Sequence, residues 1–229
     1  MMRWTAFALL ILVAAAGQTE QTFTAGETEI RYLLFLPEGY DADADATWPL
    51  ILFLHGRGEC GTDIEKVKVH GPPKIVESRK DFPFIVVSPQ SEDARWNPER
   101  LVELLDHVAK THRVDRQRIY LTGLSMGGYG TWALAAAYPD RFAAIVPICG
   151  GGDPGSAEKL KGLPIRAFHG AKDRIVPLSQ SQQMVDAIRA AGGDVVFTVY
   201  PDAAHDAWTW TYGDPKLFEW LLAQRRPDP

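Results

Sequence analysis

Residues 119–132 read Ile119-Tyr120-Leu121-Thr122-Gly123-Leu124-Ser125-Met126-Gly127-Gly128-Tyr129-Gly130-Thr131-Trp132, and their order decides the fold. β-Branched and aromatic residues open the run as a strand. A serine framed by glycines follows, and Tyr129 to Ala137, rich in alanine, then forms a helix. Within the run, Gly123-Leu124-Ser125-Met126-Gly127 matches G-x-S-x-G, a strand-to-helix turn that exposes a serine hydroxyl at the end of a strand. At average residue frequencies about one chain in ten of this size holds that pattern by chance, so the strand before it and the helix after it carry the argument. Glycines at the flanks lack the Cβ that would keep the turn from closing on its neighbours, while the serine takes a strained backbone conformation.

Outward from this turn, apolar runs alternate with amphipathic ones. Residues 30–36 begin the series, and Pro49-Leu50-Ile51-Leu52-Phe53-Leu54 is nearly continuous in apolar character, as a strand buried on both faces requires. Further strands are expected at Phe84 to Ser88, Ala144 to Ile148, Ile165 to Phe168 and Val195 to Tyr200. Asn97 caps and Pro98 opens a helix with Leu101, Leu104, Leu105 and Val108 on one face. A second helix starts at Pro177, with Met184, Val185, Ile188 and Ala191 on one side, and stops at Gly192-Gly193; a third spans about Pro215 to Gln224. This alternation implies a mostly parallel central sheet with helices on both faces, and with the serine turn at its centre it implies the α/β-hydrolase fold. Residues 150–163 are too few for a lid domain. Residues 38–47, EGYDADADAT, read as a solvated turn, because the alternating aspartates lack the glycine and distal glutamate of a calcium loop.

A serine hydroxyl becomes a nucleophile only when a base takes its proton and a carboxylate orients that base. In this fold the chain order is Ser, acid, His, and only His169 and His205 follow Ser125. His169 ends a strand, whereas His205 lies in the loop after the last strand, where it can reach back; His205 is therefore the expected base. Asp173, in the turn His169-Gly170-Ala171-Lys172-Asp173, is the expected acid and Asp153 its rival, since Asp202 and Asp206 stand too near His205 in sequence. The oxyanion is expected to meet the Met126 N–H and, from the loop His55-Gly56-Arg57-Gly58-Glu59-Cys60-Gly61, the Arg57 N–H. Without that role the glycine loop is a plain strand-ending turn. Trp96, Tyr129 and Trp208, with Trp210, are expected at the C-terminal edge of the sheet, where rings serve either as substrate platforms or as core.

The chain has 229 residues, 46% hydrophobic and 23% charged, within the range of globular proteins. With 24 basic against 29 acidic residues and no basic stripe, nucleic acid is not an expected partner. Arg3 followed by the apolar run Ala6 to Ala16 reads as a signal peptide, so residues 1–16 are expected to be removed on export and 17–229 to form one catalytic domain, in the periplasm or secreted. That run is too short for a membrane span, and no stable membrane insertion is expected. Cys60 and Cys149 are either paired or buried free thiols. No HExxH or clustered Cys/His spacing calls for a metal or cofactor.

Residues 48–222 resemble a bacterial family of secreted α/β-hydrolases related to polyhydroxybutyrate depolymerases, feruloyl and acetylxylan esterases and "predicted peptidase" proteins. The resemblance rests on Leu52-Phe53-Leu54-His55-Gly56-x-Gly58-Glu59, the stretch from Asp115 to Trp132, Pro147-Ile148-Cys149-Gly150-Gly151 and His205-Asp206-x-Trp208. It implies a serine esterase with the triad Ser125, Asp173 and His205. Cys60 departs from the basic residue frequent at that place. The expected substrates are short-chain or aromatic acyl esters, free or linked to polysaccharide; a peptidase using the same triad and a non-catalytic carbohydrate-binding protein on the same fold are the alternatives.

Overall fold

The computed structural model describes residues 17–227; the expected leader segment, residues 1–16, lies outside them. Eight strands form one sheet: β1 Gly17–Ala25, β2 Thr28–Leu36, β3 Trp48–Leu54, β4 Ile85–Pro89, β5 Val114–Leu124, β6 Ala144–Ile148, β7 Ile165–Gly170 and β8 Val195–Tyr200. Their order across the sheet is β1-β2-β4-β3-β5-β6-β7-β8. β1 and β2 run antiparallel, as do β2 and β4, and every pairing from β4 to β8 is parallel. The α-helices are α1 Gly71–Ser78, α2 Pro98–Thr111, α3 Met126–Ala137, α4 Ala157–Leu160, α5 Ser179–Ala190, α6 Trp208–Gly213 and α7 Pro215–Ala223.

Alternation along the central strands divides the core in two. Leu50, Leu52 and Leu54 of β3 face α2, α3, α4 and α5, together with Leu121, Ile145 and Ile165. Ile51 and Phe53 face the other way, onto α1, α6 and α7, with Val86, Tyr120 and Val146. Burial on both faces explains why β3 reads as unbroken apolar sequence. Asn97 accepts a hydrogen bond from the Arg100 N–H and Pro98 opens α2, as its sequence implies. Between β6 and β7 lie only a 3-10 turn, Pro154–Ser156, and the single turn of α4, so no lid covers the edge of the sheet there.

Three elements depart from expectation. The sheet begins one strand earlier than residues 30–36: β1 is largely exposed and polar, so no apolar alternation announces it, and it exists through its ladder with β2 from Gly17–Leu36 to Ala25–Thr28. α1 opens on Gly71-Pro72-Pro73, and α6 is built from Trp208-Thr209-Trp210-Thr211-Tyr212-Gly213, residues of modest helix propensity. Burial of Trp208, Thr211 and Tyr212 against the sheet holds α6 in place.

The junction of β5 and α3 packs closely against the end of β3. A Cβ built on Gly127 would stand 1.9 Å from the carbonyl oxygen of Leu54, and one on Gly123 would stand 2.3 Å from the Gly127 oxygen and 2.8 Å from the Leu54 oxygen. Backbone atoms on both sides cannot turn aside as a side chain could. Gly127→Ala is therefore expected to cost about 3 kcal/mol of stability, the upper end of ordinary overpacking. The urea midpoint of the variant checks this, and a midpoint equal to that of the parent would refute the steric account.

Candidate active site

Ser125 sits between β5 and α3 with φ 53° and ψ −116°, outside the regions an L-residue ordinarily occupies. Its N–H donates to the Ile148 carbonyl of β6 at 2.9 Å, and its own carbonyl accepts from the Tyr129 N–H at 3.1 Å. The hydroxyl is thereby presented at the C-terminal edge of the sheet. His205, in the loop between β8 and α6, places Nε2 2.8 Å from Ser125 Oγ. Its Nδ1 lies 2.6 Å from Asp173 Oδ2. With Nδ1–H donated to a carboxylate, Nε2 is the acceptor for the serine proton.

The Asp173 side chain is fully buried, and its Oδ1 accepts from the N–H groups of Ile175 and Val176, each at 2.9 Å. Burial by itself would raise this carboxyl, but the bond from His205, the two amides and the charge of His205 together hold it below the usual carboxylate range. Asp153 is elsewhere: it caps the 3-10 turn at Pro154, accepting from the Gly155 N–H at 2.9 Å. Asp202 pairs with Lys172, and Asp206 accepts from the Ala204 N–H.

Met126 opens α3 and Arg57 opens the 3-10 turn Arg57–Glu59, so neither amide has an acceptor inside its own helical turn. Both residues line the same cavity as Ser125 and His205. Two side chains brace the glycine loop. Glu59 Oε2 accepts the Gly56 N–H at 2.8 Å. Buried His55 donates from Nδ1 to the Gly56 carbonyl at 2.6 Å and accepts the Ser91 N–H at Nε2, 3.0 Å away. Burial pushes the His55 imidazole down to about 4, despite its bond to Gly56, so the ring stays neutral and serves both partners.

The cavity, about 610 Å³, is walled by Tyr129, Trp208, Met126, Leu124 and Ile175. Trp208 is only 9% exposed and stands edge-on to the His205 ring at 5.1 Å. Trp96 is not in this wall. Its indole fills the space left by the missing Cβ of Gly130, where a Cβ would meet Trp96 Cδ1 at 2.6 Å. It stands edge-on to His55 at 4.8 Å and lines a neighbouring depression of about 250 Å³ with Arg95, Asn97 and Arg100. Trp210 stacks on Tyr200, away from the cavity. Ile175, 73% exposed, takes a place in the wall that sequence reasoning missed, although it stands two residues after Asp173 in the same loop.

Both cysteines are free thiols. Cys60 is only half-buried, a correction to the expectation of two buried thiols, and its Sγ lies 4.0 Å from Met126 Sδ. Cys149 is fully buried with φ 49°, and burial, then the nearby charge of Asp173, pushes its thiol up to about 12. Candidate ligand atoms of Cys149, His169 and Asp173 lie within 4.8 Å of one another, a grouping no sequence spacing announces. Asp173 could serve a cation there only by weakening its bond to His205. No helix among the described residues is long and apolar enough to cross a membrane.

A parallel sheet with a strained serine turn at its centre and an imidazole and carboxylate converging on that serine defines a hydrolase of the α/β-hydrolase class. The chain belongs to the dienelactone hydrolase family, whose model it matches over residues 86–211. It is 27% identical over 190 residues to a probable feruloyl esterase C of Aspergillus terreus, across 77% of this chain and 70% of that protein. It is 26% identical over 144 residues to a bifunctional acetylxylan esterase/xylanase of Neocallimastix patriciarum, across 58% of this chain and 20% of that protein. A crystal structure of a thermostable esterase superposes with a TM-score of 0.79 at 34% identity, covering 91% of this chain and 63% of that one. The chain thus spans less than two thirds of two of these three proteins. With this kinship and fold, the domain is a carboxylic ester hydrolase.

The depressed Asp173 carboxyl gives a pH signature. A carboxyl lowered in the folded state contributes stability above the ordinary carboxylate range, and that contribution is lost as pH falls through its depressed folded value. Asp173→Asn should lower Tm at neutral pH and leave a smaller further loss on acidification. Thermal melts from pH 7 to pH 3 check this; parallel curves for parent and variant would contradict it.

Proposed function

We propose that the domain hydrolyses esters of short-chain or aromatic acyl groups, including those carried on polysaccharide, with Ser125 as nucleophile, His205 as general base and Asp173 as its orienting acid. The observation that carries this reading is the unbroken hydrogen-bond line from Ser125 through His205 to Asp173, at 2.8 and 2.6 Å, opening on the 610 Å³ cavity. Ser125 Oγ attacks the ester carbonyl carbon while its proton passes to His205 Nε2. The resulting oxyanion is held by the Met126 and Arg57 amides. The alcohol leaves with the proton from His205, and water, activated by the same imidazole, releases the acid and restores Ser125.

The walls support the substrate class. Trp208 and Tyr129 contribute aromatic wall and Met126 and Ile175 apolar wall, in a cavity of the size of small-molecule sites. The short connection between β6 and β7 leaves the rim open to an ester on a bulky carrier. Names among the relatives, a feruloyl esterase and an acetylxylan esterase/xylanase, point the same way. Export follows from Arg3 and the apolar run Ala6 to Ala16, and N-terminal sequencing of protein from the extracytoplasmic fraction tests it: retention of Met1 there would count against cleavage.

Ser125→Ala should abolish both turnover and labelling by a fluorophosphonate while the circular dichroism spectrum is unchanged. Asp173→Asn should lower kcat about 10⁴-fold by favouring the wrong tautomer of His205. If instead Asp153→Asn carried the loss, the acid would be misassigned.

The substrate class is tested by kcat/KM for acetyl, feruloyl and long-chain acyl esters below their solubility limits. Acetyl and feruloyl esters are expected to lead, with no rate increase at the solubility limit of a lipid ester. A clear lead for the long chains would defeat the proposal.

A further inference from the structure

Asp173 is approached by two imidazoles. His169, near the end of β7, is fully buried, and its Nε2 lies 2.9 Å from the Val176 carbonyl oxygen and 3.3 Å from Asp173 Oδ2. A carbonyl only accepts, so Nε2 carries a proton. On the other side of the ring, Nδ1 is 2.7 Å from Ser181 Oγ, which is itself 2.7 Å from the Gly150 carbonyl oxygen. The Ser181 hydroxyl has one proton for these two acceptors: given to the Gly150 carbonyl it calls for a charged His169, and given to Nδ1 it leaves His169 neutral. Burial favours that state, pushing the His169 imidazole down although the Val176 carbonyl and Asp173 pull the other way. The Nε2–H that bonds the Val176 carbonyl thus also stands 3.3 Å from the carboxylate oxygen that receives His205, while Oδ1 is occupied by the Ile175 and Val176 amides.

We propose that His169 is a positioning residue for ester hydrolysis: its Nε2–H fixes the Asp173 loop to β7 and draws charge from Asp173 Oδ2, so that His205 gives up its proton more readily than a histidine with sole claim on the carboxylate. This rests on the reading of Asp173 and His205 as acid and base. A carboxylate whose charge is partly offset by a neighbouring N–H dipole is a weaker partner for His205, and the imidazolium is stabilised less. Of the other groups around the pair, the Cys149 thiol is a weak S–H donor beside Asp173, and none is a cation paired with that carboxylate. On the β6 side the Cys149 thiol is held protonated, and on α3 the Tyr129 phenol is raised by burial and by Asp173, so both are neutral. Before α1, the His70 ring stands 5.6 Å from that of Trp208. In the loop after β7, Lys172 pairs outward with Asp202 of the His205 loop, where Asp206 is turned to the Ala204 N–H.

The experiment compares the acid limb of the pH profile of kcat/KM, on one soluble ester, for the parent, His169→Phe and His169→Gln. His169→Phe keeps a planar ring but no donor, and the limb should move to higher pH by about half a unit, an activity loss of about threefold at a fixed pH on the limb. His169→Gln retains an N–H donor and should bring the limb back toward the parent. A limb that stays in place or moves to lower pH in His169→Phe overturns the proposal, whatever happens to the plateau. If His169→Phe does not fold, nitrogen-15 NMR of the parent decides: His169 should be the neutral Nε2–H tautomer, with resonances that respond as His205 titrates. A Nδ1–H tautomer, or indifference to that titration, overturns it equally. Failure of the underlying reading looks different, since His205→Ala and Asp173→Asn would then remain active; if they are inactive and the limb is unmoved in His169→Phe, only the role of His169 falls.

Discussion

The carbonyl oxygen of Leu54, at the end of β3, is the fixed point on which the site depends. It lies 1.9 Å from where a Cβ on Gly127 would be and 2.8 Å from where one on Gly123 would be, so the close approach of β3, β5 and α3 calls for glycine at both positions. Between the two glycines Ser125 stands at φ 53°, a conformation held by its neighbours, including the bond from its N–H to Ile148 and the buried strands on either side. The same end of β3 leads directly into His55 and the glycine loop. One packing contact therefore sets both the position of the serine and the origin of the loop across from it.

Around this steric frame, burial decides charge. His55 and His169 are both buried, and both are driven toward the neutral form, in which each ring can donate with one nitrogen and accept with the other. His55 uses this to tie the glycine loop to the loop after β4, and His169 to tie the Asp173 loop to β7. Asp173 goes the opposite way, since hydrogen bonds from two amides and one imidazole outweigh the cost of burying it charged. Among these groups a negative charge sits at Asp173, with a partly exposed imidazole between it and the serine.

Much of this was legible in the residues. The G-x-S-x-G turn between a strand former and a helix former carries its own geometry, and the unbroken apolar run of β3 identifies a central strand. His205 and Asp173 were placed by chain order and by their position after strands, because loops following parallel strands gather at one edge of a sheet. Strand β1 was not legible, since an exposed edge strand with polar residues resembles a loop until its partner is present. α6 was hidden for a related reason: Trp208, Thr211 and Tyr212 form a helix because the sheet buries them, against their local preference.

The side-chain surroundings of the site lay further out of reach. Nothing in the order of residues separates Trp208, which meets His205, from Trp96, which fills the gap over Gly130; each follows a strand that ends at the same edge of the sheet. His169 reads as the end of a strand, and only the folding back of Val176 and Ser181 brings its two nitrogens their partners. Sequence by itself determined the central apolar strands, the turn and the residues that could converge on Ser125, because periodicity, glycine sterics and chain order act locally or through connectivity. Tertiary structure alone decided which rings line the cavity and which groups share the buried carboxylate, because those depend on distances between segments that the chain brings together only on folding.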